Sequence, residues 1–117
     1  MQQEKPNTNR IDKINSLLQQ QLGRILLPYI EDSGALVTIT KVETSRDLKW
    51  SKVWISILGG NDDEVLKIIR DNIYDIQGET NRYLHIKVLP RLQFFLDTSA
   101  RYAAHINELI REVKEEE

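Results

Sequence analysis

Hydrophobic residues near the start of the chain recur three or four residues apart. The members of this set are Ile11, Ile14, Leu18, Leu22 and Ile25. Such spacing is typical of an amphipathic helix with one buried face. We expect Asn9 to cap this helix and Pro28 to end it near Leu27, because proline disfavours the helical conformation of the residue before it.

The pattern then changes from a helical to an extended period. Residues 35–44 are rich in Val, Ile and Thr, and in residues 52–57 the apolar side chains of Val53, Ile55 and Ile57 alternate with their neighbours. With the short polar turn of residues 45–49 between them, the two segments predict a β-hairpin with one apolar face. Residues 91–96 alternate in the same way and predict a third strand.

Helical spacing returns between the hairpin and the third strand. Asn61 and Glu64 have the spacing of a helix cap, and an apolar face follows from Val65 to Ile76. Gly78 interrupts this pattern, so we predict two helical segments with a kink near Gly78. After residues 97–99, which can cap a helix, apolar residues at helical spacing predict a last helix; they are Tyr102, Ile106, Leu109 and Val113.

The predicted element order is α-β-β-α-α-β-α, which belongs to the α+β class. A helical crossover of about thirty residues favours parallel pairing of the third strand with the hairpin. We therefore expect a small three-stranded mixed sheet with helices packed on one face and the other face open to solvent.

Composition fits one ordered domain. A chain of 117 residues with 5 Gly and 3 Pro gives a single core, and Cys 0 excludes disulfides, zinc-thiolate sites and thiol catalysis. No apolar run approaches 18 residues, so we expect a soluble cytoplasmic protein without membrane contact. The formal charge is -2, but five acids lie within residues 108–117, and residues 1–107 carry 14 basic and 13 acidic side chains. We assign residues 1–8 to a flexible segment, 9–113 to the domain and 114–117 to an acidic tail.

Two segments of the sequence carry motifs that are similar to those of a known family. The hairpin carries the residues Val42, Ser45, Asp47, Leu48, Lys52, Val53, Ile55 and Ser56. The third strand and its continuation carry Pro90, Leu92, Phe94, Asp97 and Ser99, followed by Ile106, Leu109 and Ile110. Together they resemble the signature of the ribosome-binding factor A family, with a Pro-x-Leu-x-Phe-x-x-Asp-x-Ser pattern, over about residues 9–113.

The resemblance implies a type II KH-like fold and a bacterial maturation factor. Such a factor binds the immature 30S small ribosomal subunit and its 16S rRNA, assists late rRNA processing and is often important in the cold. It also places the kink at Ile76 and Gly78, where the family pattern has Ala-x-Gly, and the segment from Gly78 to Pro90 is about one helical turn shorter than in the family. The chain lacks the second glycine of a GxxG phosphate-gripping loop over residues 78–81, so Gly78 has two interpretations, a kink glycine or a weak phosphate contact.

Basic residues supply the candidate RNA contacts. The stretch from residue 82 to residue 107 is locally basic, with Asp97 as its one acid, and its candidates are Arg82, Lys87, Arg91 and Arg101. A second group on the hairpin comprises Arg46, Lys49 and Lys52 with Trp54, whose indole would stack on an unpaired base or contact a ribosomal protein. The alternatives are a solvated surface for the cations and packing of Trp50 and Trp54 against a neighbouring strand.

Catalysis and metal binding have little support in the sequence. His85 and His105 lack the i, i+4 spacing of a helical metal pair, and Ser45 near Asp47 is typical of turn chemistry. We predict no enzymatic activity and no cofactor. The main hypothesis is a monomeric RNA-binding assembly factor; a protein-protein adaptor that uses the exposed sheet face is the alternative, and a small hydrolase a distant third.

Overall fold

The computed structural model describes residues 8–99 and contains three α-helices and a three-stranded sheet. The elements in chain order are α1 (Thr8–Ile30), a 3-10 turn (Glu31–Ser33), β1 (Leu36–Thr44), β2 (Trp50–Leu58), α2 (Asp62–Asp71), α3 (Ile73–Leu84) and β3 (Arg91–Leu96). The predicted α+β class and the order up to β3 are confirmed. The predicted last helix and acidic tail lie outside the described residues, and Thr8 already belongs to α1.

Helix α1 corrects the prediction at both ends. It begins at Thr8, so Asn9 lies inside it, and it continues through Pro28 to Ile30. A proline inside a helix costs about 3 kcal/mol or more because it lacks an N–H and crowds the preceding turn. Here Ile30 is buried in the core and the Tyr29 hydroxyl donates a 2.8 Å hydrogen bond to Glu79 Oε1. These tertiary contacts stabilise the last turn, which local propensity alone does not favour.

The sheet has the predicted mixed topology, in the order β1-β2-β3. Strand β1 pairs antiparallel with β2, with a bulge between Ile39 and Lys41, and β2 pairs parallel with β3. The register places Val53 beside Phe94 and Trp54 beside Phe95. Alternate side chains point to opposite faces of a strand, so the valine and isoleucine residues of β2 lie on one face while Trp54 lies on the other.

The core fills the space between the helices and the inner face of the sheet, which is the face that carries the valine and isoleucine residues of β2. Four residues of α1 at helical spacing are at most 2% exposed, namely Leu18, Leu22, Leu26 and Ile30. They pack in one cluster with residues of the sheet and of α2 and α3, among them Val53, Ile55, Ile69 and Ile76. A buried polar contact joins the same layer, because the Thr44 hydroxyl lies 2.6 Å from Asn15 Oδ1 and 2.7 Å from Ser51 Oγ.

The predicted cap of α2 is confirmed, whereas the kink lies elsewhere. Asn61 Oδ1 accepts a 3.0 Å hydrogen bond from the Glu64 N–H. The break between the two middle helices falls at Asn72, not at Ile76 and Gly78, both of which lie inside α3. The Asn72 side chain donates a 2.8 Å hydrogen bond to the Ile68 carbonyl. This local side-chain contact offers the backbone an alternative to a continuous helix, and it explains the break.

Gly78 therefore has neither of its predicted roles. It lies inside α3, its φ is not among the positive values, and a Cβ added there would meet no atom within 4 Å. Residues 78–81 are helical, so their backbone N–H groups do not form a phosphate-gripping loop. The positive backbone angle falls instead on His85, whose φ of 53° ends α3.

Candidate functional site

A basic groove of about 880 Å³ opens at the end of the sheet where β2 and β3 begin. Three parts of the chain line it: the first turns of α1, the β1–β2 turn, and the segment from the end of α3 to the start of β3. Its lining cations are Arg10, Lys13, Lys49, Lys87 and Arg91, and His85 lies among them. Among the described residues that line the groove, Asp47 is the one carboxylate, so this lining has a marked excess of positive charge.

The β1–β2 turn holds Asp47 in its own hydrogen bonds. The Ser45 hydroxyl donates to Asp47 Oδ1 at 2.7 Å, and the Lys49 N–H donates to the same oxygen at 3.1 Å. These bonds, the one from Ser45 first, lower the pKa of Asp47. The carboxylate thus stabilises the turn, in agreement with the turn chemistry predicted for Ser45 and Asp47.

The same turn fixes Trp50 and joins it to β3. The Trp50 N–H donates to Ser45 Oγ at 3.1 Å, and the Ser45 N–H donates to the Trp50 carbonyl at 2.9 Å. The Arg91 N–H donates to the Lys49 carbonyl at 2.9 Å. Two walls of the groove are therefore connected through backbone hydrogen bonds.

The third wall, residues 85–90, is anchored at both ends. His85 ends α3 in the left-handed conformation, and its N–H donates to the Asn81 carbonyl at 3.1 Å. At the other end, the Gln77 side chain donates to the Pro90 carbonyl at 2.8 Å and accepts from the Leu92 N–H at 3.0 Å. Lys87 and Val88 lie exposed between these fixed points.

The groove also has an apolar floor. Leu17, Leu48, Ile86 and Leu89 line it as half-buried side chains, and Val88 is 73% exposed at its rim. Trp50 is 40% exposed, and the Arg91 guanidinium carbon lies 5.8 Å from the centroid of its ring. The arrangement combines cations, apolar surface and an accessible indole.

The structure divides the sequence-predicted residues into separate groups. Lys49, Lys87 and Arg91, which come from both predicted groups, line the groove together. Arg82 and Arg46 are exposed beside it, two residues before Leu84 and one before Asp47, but are not lining residues. Arg101 and His105 lie outside the described residues.

Lys52 and Trp54 lie further along the outer face of the sheet, the face to which Trp50 also points, and do not line the groove. The Trp54 ring centroid is 5.7 Å from that of Phe95, and Lys41 Nζ lies 5.1 Å from the Trp54 centroid. This is the packing against a neighbouring strand that the sequence left as the alternative to base stacking. Trp54 is therefore more enclosed by its neighbours than Trp50.

Sequence reasoning missed Arg10 and Lys13. They are three residues apart on α1, a spacing that places two side chains on one helix face. That spacing was the available signal, but nothing in the linear sequence shows that this face adjoins the turn at Lys49.

Two other features are absent from the described part of the chain. In residues 8–99, no group of three or more His, Cys, Asp or Glu side chains could hold a metal ion. Among the same residues, no helix is long and apolar enough to cross a membrane.

The order of the elements and the pairing of the strands indicate the class of protein. An α-β-β-α-α-β order with a parallel β2–β3 pair and helices on one face is consistent with a type II KH-like domain. The sequence matches the family model for ribosome-binding factor A over residues 10–110. The chain belongs to the ribosome-binding factor A family.

Relatives and solved structures agree with this assignment. Ribosome-binding factor A of Chlorobium phaeobacteroides is 33% identical over 113 residues, covering 92% of this chain and 97% of the relative. That of Opitutus terrae is 30% identical over 108 residues, covering 91% and 88%. The crystal structure of ribosome-binding factor A from Thermus thermophilus matches with a TM-score of 0.64 at 20% identity, covering 74% of this chain and 94% of that one.

A second match is a homology model of the Thermus thermophilus ribosome-binding factor A that was fitted into a cryo-EM map of a 30S–RbfA complex. Its TM-score is 0.56 at 22% identity, and the match covers 70% of this chain and 93% of that one. At this identity the likeness concerns the fold.

Proposed function

We propose that the protein binds the immature 30S small ribosomal subunit through its 16S rRNA and assists late assembly and rRNA processing without catalysis. It acts as a monomer in the cytoplasm and supports assembly in the cold. The observation that carries this proposal is the basic groove, whose lining within residues 8–99 brings together five cations from three separate parts of the chain and one carboxylate. Family membership and the 30S complex of the Thermus relative support the choice of partner.

The proposed mechanism is differential binding. A protein shifts an RNA between two conformations only by as much as it binds one of them better than the other. The hydrogen bonds that anchor the turn at Ser45 and the segment before β3 hold the cations on a fixed frame. A fixed set of cations favours the one rRNA arrangement whose phosphates match it.

A protein-protein adaptor is the second candidate, and one observation favours it. Leu36 and Leu58 are cross-strand partners and are each 66% exposed at one end of the sheet. Together with Trp54, they give the strands an apolar surface separate from the basic groove. An adaptor that uses this surface would bind with little dependence on salt.

Co-sedimentation with immature small subunits at several salt concentrations tests the proposal. Each lysine-phosphate contact adds roughly 0.7 to 0.9 to the slope of log affinity against log salt. The triple variant Lys13→Ala, Lys49→Ala, Lys87→Ala should therefore bind more weakly and lose about 2 from that slope, while remaining folded.

A matched control removes the same charge elsewhere. Arg24, Lys41 and Lys67 are exposed and do not line the groove, so their triple alanine variant should bind nearly as the parent does. Equal loss of small-subunit binding in both variants would mean that the net charge of the protein, and not the groove, determines the affinity. Full binding by the groove variant, together with loss in Leu36→Ser or Leu58→Ser, would favour the adaptor.

A further inference from the structure

We propose that the groove takes an unpaired RNA nucleotide, with its base against the Trp50 indole and its flanking phosphates on the lysines of the rim. This inference rests on the proposed function and specifies the form of RNA that the groove accepts. The juxtaposition of an accessible indole, an apolar floor and a cationic rim fits a single-stranded segment rather than a duplex.

The lining of the groove is partly apolar and partly cationic. Duplex RNA offers proteins mainly its phosphates, its 2′-hydroxyls and the edges of a shallow groove, whereas an unpaired strand also offers the faces of its bases. A site for phosphates alone needs cations on a polar surface. Here Leu17, Leu48 and Ile86 line the space between the cations, and Val88 stands exposed at the rim. Apolar surface of this kind gains free energy when it covers a base.

The two tryptophans differ in what already occupies their faces. Trp54 lies between the Phe95 ring and the Lys41 ammonium group. Trp50 has the Arg91 guanidinium near its ring, at 5.8 Å from the centroid. A guanidinium plane itself stacks on bases, so Arg91 is a partner for an incoming base as well as for the indole.

Arg91 has to move for a base to stack on the face of the indole that it now covers. Its guanidinium carbon lies 5.8 Å from the indole centroid, within the range of a cation–π contact. A stacked base occupies roughly 3.4 Å along a strand. The long Arg91 side chain can swing aside, or cover the other face of the base, without movement of the strands.

Hydrogen bonds also fix the backbone of Trp50. Both the N–H and the carbonyl of Trp50 are bonded to Ser45, and Arg91 begins the strand that pairs with it. A fixed stacking platform loses little conformational entropy when it binds a base. Lys49 and Lys87 line the same groove, where their ammonium groups can contact phosphates of the bound RNA.

Tryptophan fluorescence gives a direct test, because the chain has two tryptophans. In a Trp54→Phe background, Trp50 is the remaining indole. A single-stranded RNA hexanucleotide should quench its emission in a saturable way, and a blunt RNA duplex of twelve base pairs should leave it unchanged. Quenching by the duplex to the same extent, or none by the hexanucleotide, would overturn the inference.

Affinity measurements separate stacking from a merely structural role. Trp50→Ala should weaken hexanucleotide binding roughly 5- to 150-fold, the range for loss of one stacked base, while Trp50→Phe should recover most of it. The salt slope should stay the same in both variants, because the phosphate contacts remain. A folded Trp50→Ala variant with the parent affinity, or equal recovery by Trp50→Leu and Trp50→Phe, would contradict stacking.

The outcome is distinguishable from failure of the proposed function. If the groove-lysine variant loses small-subunit binding while Trp50→Ala keeps it, base stacking is wrong and the proposed function stands. If the parent protein does not bind small subunits, the proposed function is wrong; if the parent and the groove-lysine variant bind equally well, the groove is not the ribosome-binding surface and the inference fails with it. Quenching of Trp50 by an oligoglutamate peptide as strong as that by RNA would assign the groove to acidic protein segments and overturn the inference.

Discussion

Replacing Gly78 with alanine should stabilise the protein. Gly78 lies in the interior of α3, is exposed, and has no positive φ. Glycine in a helix interior costs about 0.8 to 1.0 kcal/mol relative to alanine, because it has more backbone freedom to lose on folding. No atom lies within 4 Å of the position that the new Cβ would take. The gain is therefore not offset by a clash.

The expected gain is about 0.4 to 1 kcal/mol in the free energy of unfolding, or roughly 2 to 6 °C in Tm for a domain of this size. Denaturant and thermal unfolding measure it. Co-sedimentation with small subunits should be unchanged, because no hinge motion at residue 78 is needed to place the groove.

Other glycines of the chain provide controls in both directions. Gly23 lies inside α1 with no atom within 4 Å of an added Cβ, so Gly23→Ala should also stabilise. Gly34 has a φ of 75°, and Gly34→Ala should cost about 1 kcal/mol. A Cβ at Gly60 would lie 2.8 Å from Ala35 Cβ, so that variant should also be less stable. Destabilisation by Gly78→Ala while these controls behave as expected would refute a continuous α3 and restore the kink at Gly78.

Three further predictions concern polar contacts. Thr44→Val should destabilise by about 1 to 3 kcal/mol in denaturant unfolding, and more than Ser51→Ala, because it removes the hydroxyl between the buried Ser51 and the half-buried Asn15. Equal costs would contradict the shared contact. Hydrogen bonds from Ser99 and then from Thr40 lower the pKa of Asp97 to about 2, so the stability they confer is present above about pH 4 and lost as the pH falls to 2. Asp97→Asn should flatten this acid limb in melts between about pH 2 and 5, and an unchanged limb would assign it to other carboxylates. Burial and the hydrogen bond to Glu79 raise the pKa of Tyr29 to about 12, so the free energy of unfolding should fall between about pH 10 and 12. Tyr29→Phe should reduce that loss in melts over this range. If the variant loses as much stability as the parent, Tyr29 is not the source of the loss.

Periodicity was sufficient for most of the fold. The valine and isoleucine alternation of β2 and the helical stripe of α1 reflect how often each side chain must meet the core, and that information is local. The parallel pairing of β3 followed from the length of the crossover. The cap at Asn61 depends on residues three positions apart, so it too was visible in the sequence.

The errors arose where a hydrogen bond or a burial that the hydrophobic pattern does not show decided the conformation. Pro28 indicated a helix end, but the burial of Ile30 and the Tyr29–Glu79 hydrogen bond extend α1 past it. Gly78 indicated a break on propensity alone, yet the break lies at Asn72, whose side chain bonds the backbone of α2. An interior glycine costs a helix about 1 kcal/mol and an interior proline about 3 kcal/mol, and contacts elsewhere in the fold offset both costs.

The candidate site depended most on the tertiary structure. The sequence by itself determined that Lys49, Lys87 and Arg91 are charged and lie in or beside turns, but it assigned them to two separate groups. Only the folded chain brings the start of α1, the β1–β2 turn and the segment before β3 to one groove, which adds Arg10 and Lys13 and is lined by Trp50 but not by Trp54. The physical reason is that local periodicity specifies which face of each element is buried, whereas the convergence of exposed side chains depends on how the buried faces pack together.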